Sequence, residues 1–264
     1  MKKVLTVAGS DSGGCAGIQA DIKAISACGA FAASAITAVT SQNTLGVDFV
    51  EELTPTSIKT QIEAVLSDIG ADAVKSGMLF SKEIVCAVSE VFKKYSVKNY
   101  VLDPVMIASS GAKLLKESAV EALKENLIPL CSLITPNIPE AESLSGIKIE
   151  TDHHIKEACS IIKTMGAGAV LVKGGHLKGE YSTDTLFDGE KYYTFTTKRI
   201  PTNNTHGTGC TYSAAIATFL AMGFSMNEAV DKAKNYISAA IEGGKDLKIG
   251  SGAGPVDHFF ALRS

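Results

Sequence analysis

The sequence lacks several features that mark common functional classes. Its 264 residues include six cysteines but no C-x-x-C pair, which argues against a zinc site and against a redox dithiol. The formal net charge is −3 and no block of Lys and Arg occurs, so a nucleic-acid surface is not expected. No segment approaches the roughly 18 apolar residues that span a bilayer. We therefore expect a cytoplasmic protein with reduced thiols, a small-molecule substrate, and no nucleic-acid or membrane partner.

Two familiar nucleotide-binding signatures are also missing. The glycine-rich segment Gly9–Gly17 fits neither G-x-G-x-x-G nor G-x-x-x-x-G-K-[ST], which argues against a Rossmann dehydrogenase and a P-loop enzyme. No internal repeat and no linker rich in Pro, Gly or Ser divides the chain. Since 45% of the residues are apolar, the chain can bury one large core. We predict a single domain over residues 1–264.

Short β-branched runs alternate with longer amphipathic stretches, a pattern typical of βαβ units around a mostly parallel sheet. The predicted strands are Lys3–Ala8, Ala33–Val39, Ala73–Ser76, Tyr100–Leu102, Leu133–Thr135 and Ala169–Lys173. The predicted helices are Ala16–Cys28, Thr56–Asp68, Ser81–Lys94, Glu117–Asn126, Ile138–Ser145, Ile155–Met165, Cys210–Met222 and Met226–Glu242. Residues Asp184–Thr197, which flank Asp188-Gly189, predict an antiparallel edge hairpin. The fold class is α/β, with helices on both faces of the sheet.

The strongest chemical signal is the loop Asn203–Thr211, which precedes a predicted helix. Its two glycines and its small hydroxyl residues let backbone N–H groups converge. The helix adds unpaired N–H groups and the positive end of its dipole. The loop therefore predicts an anion hole for a phosphoryl group, although a plain helix start with a threonine cap fits the loop equally well.

Charged side chains follow three of the predicted strands. Asp103 and Glu140 each place a carboxylate at the carboxyl edge of the sheet, and Lys173 offers a cation there. Carboxylates beside phosphate usually position hydrated Mg²⁺, and a lysine balances phosphate charge. The alternatives are that Asp103 caps a turn, that Glu140 favours a helix start, and that Lys173 is solvated.

An uncharged polar segment, Thr40-Ser41-Gln42-Asn43-Thr44, ends another strand. Because the Gln42 amide both donates and accepts, it suits recognition of a neutral heteroaromatic ring. Taken alone, the segment is also compatible with an ordinary polar loop.

Taken together and in order, these segments resemble the hydroxymethylpyrimidine/phosphomethylpyrimidine kinases of thiamin biosynthesis, in the ribokinase-like superfamily. The resemblance runs from A-G-S-D-S-G-G at Ala8 to G-P-V-D-H at Gly254. Its markers are A-G-I-Q-A-D, T-S-Q-N-T, K-S-G-M-L, L-D-P-V-M, T-P-N-I-P-E-A, V-K-G-G-H and N-T-H-G-T-G-C-T. It implies a ribokinase-like fold, ATP and Mg²⁺, and transfer of the γ-phosphoryl first to the pyrimidine hydroxymethyl group and then to the monophosphate.

The resemblance also implies a role for individual residues. The residues implied to line the pyrimidine pocket are Asp21, Gln42, Met78, Val105 and Ile107. Those implied to bind ATP are Lys173, Lys234, Asn137 and His206, while Asp103 and Glu140, with Asn137, are implied to hold Mg²⁺ and its waters. Gly207, Thr208 and Gly209 are implied to form the catalytic anion hole together with His206. From spacing alone, Asp21 and Lys234 would be assigned to a solvated helix face.

Cys210 is implied to take the proton of the acceptor hydroxyl, where most ribokinase-like sugar kinases carry Asp. A helix N-terminus lowers the pKa of a thiol, so a thiolate is chemically reasonable there. The alternative is a buried thiol at the helix start. One departure is Cys15, where the resembled family often has Gly.

Two other functions stay open. Related pyridoxal kinases carry a second cysteine in the loop after D-P-V-M, but here Ile107–Gly111 contains none, and Gln42–Thr44 also favours the pyrimidine. The other alternative is a pyrimidine-binding module without catalysis, which would be expected to lose Asp103, Glu140, the glycine loop or Cys210. All of these are present. We further expect a homodimer.

Overall fold

The protein is described by a computed structural model that covers residues 1–106, 117–174 and 179–262. The strands are β1 (Lys3–Asp11), β2 (Phe31–Gln42), β3 (Val47–Glu52), β4 (Ala73–Ser76), β5 (Tyr100–Leu102), β6 (Leu133–Ile134), β7 (Val170–Val172), β8 (Tyr181–Phe187) and β9 (Tyr192–Lys198). The α-helices are α1 (Gly17–Ala27), α2 (Pro55–Ala64), α3 (Lys82–Lys94), α4 (Glu117–Asn126), α5 (Ile138–Ser145), α6 (Asp152–Thr164), α7 (Thr208–Ala221) and α8 (Met226–Gly244).

The described strands form one sheet in the order β3-β2-β1-β4-β5-β6-β7-β8-β9. Pairing is parallel from β2 to β7, whereas β3, β8 and β9 pair antiparallel at the two edges. The predicted α/β sheet and its edge hairpin are therefore confirmed. All the described strands belong to this one sheet, which agrees with a single domain. The single domain over the whole chain stays a prediction.

Alternating residues of the central strands enter two separate cores. On one face, Leu5 and Val74 pack with apolar side chains of α2 to α6. On the other face, Val4 and Ala73 pack with α1, α7 and α8. Because successive strand residues point to opposite faces, a strand covered on both sides is apolar throughout. The strands could therefore be predicted from continuous apolar runs rather than from an alternation of apolar and polar residues.

Local signals fix where several helices begin. The Ser81 hydroxyl accepts a hydrogen bond from the Ile84 N–H at the start of α3. In α5, the Asn137 side chain accepts from the Glu140 N–H at 2.9 Å, and the Glu140 carboxylate accepts from the Asn137 N–H at 2.8 Å. Reciprocal capping of this kind satisfies two N–H groups that the helix itself leaves unpaired. It also fixes Glu140 at the edge of the sheet.

Several boundaries differ from the prediction. Strand β1 continues to Asp11 and β2 to Gln42, so residues assigned to turns are part of the sheet. Strand β3 was missed because Asp48, Glu51 and Glu52 give this edge strand a polar sequence. The predicted helix Thr56–Asp68 ends as an α-helix at Ala64 and continues as a π-helical turn to Ile69.

The topology determines where a ligand can bind. From β1 the chain moves outward through β2 and β3, then returns to add β4 on the other side of β1. In open α/β sheets, a crevice forms at the carboxyl ends of strands where the strand order reverses in this way. Among the described residues, no helix has the length and apolar character needed to cross a membrane.

Candidate active site

A cavity of about 1290 Å³ lies at the carboxyl ends of the central strands. Most of the predicted site residues lie on its wall. The predicted residues that line it are Gln42, Met78, Asp103, Val105, Asn137, Glu140, Lys173, His206, Gly207, Thr208, Gly209, Cys210 and Lys234. Ile107 lies outside the described residues. Asp21 is absent from the described cavity wall.

The glycine loop packs directly against the turn that follows β1. Gly207 has φ +80° and is the N-cap of α7, and a Cβ on this residue would overlap the carbonyl oxygen of Cys15. Only glycine combines this backbone conformation with so close an approach. Thr208, Gly209 and Cys210, in the first turn of α7, line the cavity, and N–H groups that the start of a helix leaves without partners in the helix suit a phosphoryl group.

Cys210 lies in that first turn and is a protonated thiol. The Gly17 N–H donates a hydrogen bond to its sulfur, and burial raises the pKa of Cys210 to about 11, although Lys75 opposes the shift. The expectation that the helix N-terminus yields a thiolate is therefore wrong, because desolvation of the charged sulfur outweighs the opposing effect of Lys75.

Asp103 is at the centre of a buried charged cluster. Its carboxylate accepts hydrogen bonds from the Lys173 ammonium at 2.8 Å, from the Thr135 hydroxyl at 3.1 Å and from the Ser213 hydroxyl at 3.2 Å. Burial works against ionisation, but Lys173 and Lys75 hold the pKa of Asp103 below its usual range. Asp103 is therefore a carboxylate near neutral pH.

Glu140 is the second carboxylate of this cluster, and it is 6% exposed. Burial and the nearby charge of Asp103 raise the pKa of Glu140 to about 7, although Lys173 lowers it. Two buried carboxylates thus share one neighbouring lysine. The cluster has an excess of negative oxygen ligands, which is the donor set that Mg²⁺ prefers.

A second buried ion pair lies farther along the cavity wall. The Lys234 ammonium donates to Asp184 at 2.8 Å and to the Ser182 hydroxyl at 3.3 Å. The other oxygen of Asp184 accepts from the Gly174 N–H at 2.9 Å. Spacing alone assigned Lys234 to a solvated face, whereas it is 6% exposed. The edge hairpin supplies the partner of Lys234, and no local pattern in α8 reveals that contact.

Asp21 lies behind the cavity wall and not on it, which corrects the placement implied by resemblance. Its carboxylate accepts from the Lys75 ammonium at 2.9 and 2.8 Å and from the Thr6 hydroxyl at 2.6 Å. Both Asp21 and Lys75 are completely buried. Burial alone would lower the pKa of Lys75, but Asp21 raises it, so Lys75 is an ammonium group close enough to act electrostatically on Cys210.

One part of the wall is apolar and has an amide beside it. Met78 and Val105 pack with Ala38 and Val50 in a small cluster separate from the two main cores. Gln42 follows on β2, where its backbone N–H and carbonyl both hydrogen-bond to the Ser12 hydroxyl, at 2.8 and 2.7 Å. This combination of apolar contacts and a polar amide suits a small heteroaromatic ring.

Sequence reasoning gave no role to three further residues of this region, Asp11, Lys75 and Asp184. The Asp11 carboxylate accepts hydrogen bonds from the N–H groups of Gly13, Cys15 and Ala16 and so fixes the turn before α1. A signal existed for Lys75, which is the one charged residue in the buried strand β4. Charged residues are rarely fully buried without a partner.

Comparison with known proteins identifies the family. Residues 11–257 match the family described as "Phosphomethylpyrimidine kinase". The chain belongs to this family. It is 49% identical over 257 residues to the "Hydroxymethylpyrimidine/phosphomethylpyrimidine kinase" of Rhizobium meliloti, which covers 97% of this chain and 96% of that protein. The predicted family and a phosphotransferase activity are therefore confirmed.

A second relative of this chain is longer than the chain itself. The "Thiamine biosynthesis bifunctional protein ThiED" of Geobacter sulfurreducens is 49% identical over 258 residues, which are 98% of this chain. The present chain spans about half (52%) of that relative's length. The similarity therefore concerns one part of the Geobacter protein.

Solved structures agree with the ribokinase-like fold. The phosphomethylpyrimidine kinase of Clostridium difficile has a TM-score of 0.82 at 48% identity, covering 91% of this chain and 100% of that one. A Bacillus subtilis pyridoxal kinase in complex with ADP has a TM-score of 0.92 at 36% identity, and both chains are covered completely. The fold is thus shared by phosphomethylpyrimidine kinases and pyridoxal kinases.

Proposed function

We propose that the protein is an ATP-dependent kinase that phosphorylates 4-amino-5-hydroxymethyl-2-methylpyrimidine and then its monophosphate in thiamin diphosphate biosynthesis. The observation that carries the proposal is that one cavity wall combines the glycine loop and Cys210 with the apolar surface of Met78 and Val105. The names of relatives that are about half identical over nearly the full chain support the same substrate.

The acceptor hydroxyl loses its proton to Cys210. A thiol whose pKa is about 11 is ionised only when its surroundings change, and bound phosphates with their cation alter the local charge. Phosphoryl transfer has a loose transition state that needs little help from a base until the new bond forms. Cys210 therefore acts late, while Lys75 stabilises the thiolate electrostatically. The backbone N–H groups of the glycine loop hold the transferred phosphoryl group.

The nucleotide phosphates lie between the glycine loop and the lysines of the wall. Lys173 and Lys234 each pair with a carboxylate, and each can exchange part of its ion pair for phosphate oxygens. His206 is in the same loop, and burial lowers its pKa. The imidazole is therefore neutral near pH 7 and contributes as a hydrogen-bonding group.

Asp103 and Glu140 are the residues that would hold Mg²⁺, with Asn137 beside them. One shared lysine does not neutralise both buried carboxylates. The remaining negative charge fits a divalent cation. When bound, Mg²⁺ neutralises the charge that develops on the phosphate oxygens. The Asn137 side-chain oxygen is occupied by the helix cap, so its amide nitrogen is the part left for a nucleotide.

The main alternative is a pyridoxal kinase, which the structural similarity to the Bacillus subtilis enzyme supports. Two features of the sequence favour the pyrimidine. Gln42 offers a donor and an acceptor to the aminopyrimidine edge, and residues 107–111 contain no thiol to trap an aldehyde. An inactive pyrimidine-binding module is disfavoured because Asp103, Glu140 and Cys210 line one cavity with the glycine loop.

A mass-resolved product assay tests the proposal. The protein receives Mg-ATP with hydroxymethylpyrimidine or with pyridoxal in separate reactions. We expect the pyrimidine monophosphate and then the diphosphate, with little pyridoxal phosphate. Gln42→Met is expected to lower kcat/KM for the pyrimidine at least about tenfold, the value of one lost hydrogen bond to a polar ligand. Dominant pyridoxal phosphate would replace the proposal by the alternative, and no product in either reaction would favour the binding module.

We also infer a cytoplasmic homodimer. All six cysteines are free, as expected in a reducing compartment. Phe31, Val39 and Phe49 expose apolar surface on neighbouring strands at one edge of the sheet, which supports an interface between two copies. Light scattering coupled to gel filtration measures the mass, and Phe49→Glu is expected to shift it toward the monomer of 27.6 kDa.

A further inference from the structure

A cluster of three different metal-binding side chains lies where the turn after β1 meets the glycine loop. Asp11, Cys15 and His206 are all buried, and their ligand atoms lie within 4.8 Å of one another. The His206 Nε2 is 3.7 Å from the Asp11 Oδ2. Neither Asp11 nor Cys15 has a role in the proposed phosphoryl transfer.

The geometry of the cluster suits a small tetrahedral cation. Zinc binds Cys sulfur at about 2.3 Å and His nitrogen or carboxylate oxygen at about 2.0–2.2 Å, so neighbouring ligand atoms lie roughly 3.3–3.7 Å apart. The separation of 3.7 Å between His206 Nε2 and Asp11 Oδ2 is a few tenths of an ångström longer than the roughly 3.4 Å expected between a nitrogen and an oxygen ligand of zinc. The three ligand atoms lie within 4.8 Å of one another, so they must approach by at most about 1 Å to reach these separations.

Hydrogen bonds around the three side chains decide which of their atoms are available to a metal. Three backbone N–H groups fix the Asp11 carboxylate, while a carboxylate has about four lone-pair positions. The remaining acceptor position is on Oδ1, because Oδ2, which faces His206, already accepts from the Cys15 and Ala16 N–H groups. The carboxylate must therefore turn to offer a free lone pair to a metal. Within the described part of the chain, the buried His206 ring makes no hydrogen bond of normal length, and its Nε2 lies 3.7 Å from the Asp11 carboxylate. The Cys15 thiol makes only a long contact of 3.5 Å to the Gly13 carbonyl.

We propose that Asp11, Cys15 and His206 form a binding site for a zinc-class divalent cation that joins the substrate-side turn to the glycine loop. Binding requires the Cys15 thiol to lose its proton to solvent, and the imidazole binds in its neutral form. Asp11 and His206 line the cavity, so a water molecule completes the fourth position from that side.

This site is distinct from the proposed magnesium ligands. Mg²⁺ prefers oxygen ligands, whereas thiolate and imidazole favour zinc, cobalt and other softer ions. The pair Asp103 and Glu140 offers oxygen only. Because the cation would bind the loop that holds phosphate, we expect Zn²⁺ to inhibit the kinase even when Mg²⁺ is in excess.

The direct test uses the full-length wild-type protein and requires no catalysis. Zn²⁺ affinity is measured by competition with a chromophoric chelator, and Co²⁺ serves as the optical probe. We expect one tight site per chain, a thiolate-to-cobalt charge-transfer band, and X-ray absorption showing one sulfur at about 2.3 Å together with nitrogen and oxygen ligands. A cobalt spectrum without sulfur ligation would overturn the proposal without any variant having to fold.

Matched variants assign the ligands. Cys15→Ala and His206→Gln are each expected to weaken Zn²⁺ binding at least about 100-fold, since losing only an outer-shell partner typically costs 10–100-fold. Controls are Cys28→Ala, a thiol elsewhere in the fold, and His153→Gln with His154→Gln, which removes an adjacent histidine pair on the surface of α6. Loss of the site in the histidine-pair control, or its retention in Cys15→Ala, would contradict the assignment.

Discussion

The ammonium of Lys75 contacts both carboxylate oxygens of Asp21, at 2.9 and 2.8 Å, in an ion pair with no exposed surface. The pair joins β4 to α1 directly behind the wall that carries Cys210. A buried ion pair contributes little net stability relative to apolar residues, but removal of one partner leaves an uncompensated charge. The pair therefore acts chiefly to hold a positive charge at a fixed position next to the thiol.

The first prediction concerns this ion pair. Asp21→Asn or Lys75→Met alone should lower the free energy of unfolding by about 3–5 kcal/mol, because each leaves the other group charged and buried. The double variant should cost clearly less than the sum of the two. Urea denaturation of the four proteins measures this coupling. Simple additivity would show that the two charges do not interact as the distances imply.

Cys210→Ala should impair catalysis while leaving nucleotide binding intact. We expect kcat to fall by about 10²–10⁴, the usual range for a positioned proton acceptor. The Kd for a non-hydrolysable ATP analogue should change by less than about twofold, or roughly 0.4 kcal/mol. Calorimetry and single-turnover kinetics measure the two quantities, with Cys28→Ala as the control. An equal loss of nucleotide affinity would mean that Cys210 is structural.

Substitutions at the paired carboxylates should alter the magnesium requirement. Asp103→Asn and Glu140→Gln are each expected to raise the Mg²⁺ concentration for half-maximal activity by about tenfold or more. Glu142→Gln is the matched control, because Glu142 lies on the same helix but pairs with Lys148 outside the cavity. Magnesium titrations at saturating ATP provide the measurement. An unchanged requirement in both cavity variants would remove these residues from the proposed site.

Gly207→Ala should reduce activity and stability far more than an alanine at another glycine of similar backbone conformation. Gly207 and Gly223 have φ values of +80° and +94°, but only at Gly207 does an added Cβ meet backbone, the Cys15 carbonyl. Gly223→Ala should cost about 1 kcal/mol from backbone strain, whereas Gly207→Ala adds displacement of the glycine loop. We expect Gly207→Ala to be inactive and to lose more stability than Gly223→Ala, which should stay active. Thermal unfolding and kinase assays compare the two.

His258 should make the folded protein sensitive to mild acid. Burial lowers the pKa of His258 from 6.5 to about 4, with Lys23 contributing in the same direction, and its Nε2 lies 2.9 Å from the Thr211 hydroxyl. Between pH 6.5 and 4 the unfolded chain binds a proton that the folded protein excludes. The contribution of His258 to stability is therefore complete above about pH 6.5 and decreases as the pH falls toward 4.

The measurement for His258 compares wild type with His258→Gln, which keeps a hydrogen-bonding group near Thr211. Going from pH 7.5 to 5, the wild type should lose about 1–2 kcal/mol more than the variant. Urea denaturation at both pH values gives the difference. Equal losses in the two proteins would assign acid sensitivity to other groups.

Much of the architecture follows from sequence patterns alone. Continuous apolar runs such as Tyr100–Leu102 identify strands covered on both faces, and the Asp188-Gly189 turn identifies the edge hairpin. Strand β3 could not be predicted from these patterns. An edge strand has one neighbour and an exposed surface, so its polar residues resemble a loop.

The sequence determined which residues meet at the candidate site, but it did not determine their protonation states or their ion pairs. Glycines, carboxylates and lysines placed after successive strands must meet at one edge of a parallel sheet, which is why Asp103, Glu140 and Lys173 were predicted together. Their protonation states depend on burial and on partners distant along the chain. Only the tertiary structure decided that Cys210 is a protonated thiol, that Asp21 lies behind the wall with Lys75, and that Asp184 holds Lys234. Desolvation and ion pairing arise from packing between elements that are distant along the chain, and no local sequence pattern encodes that packing.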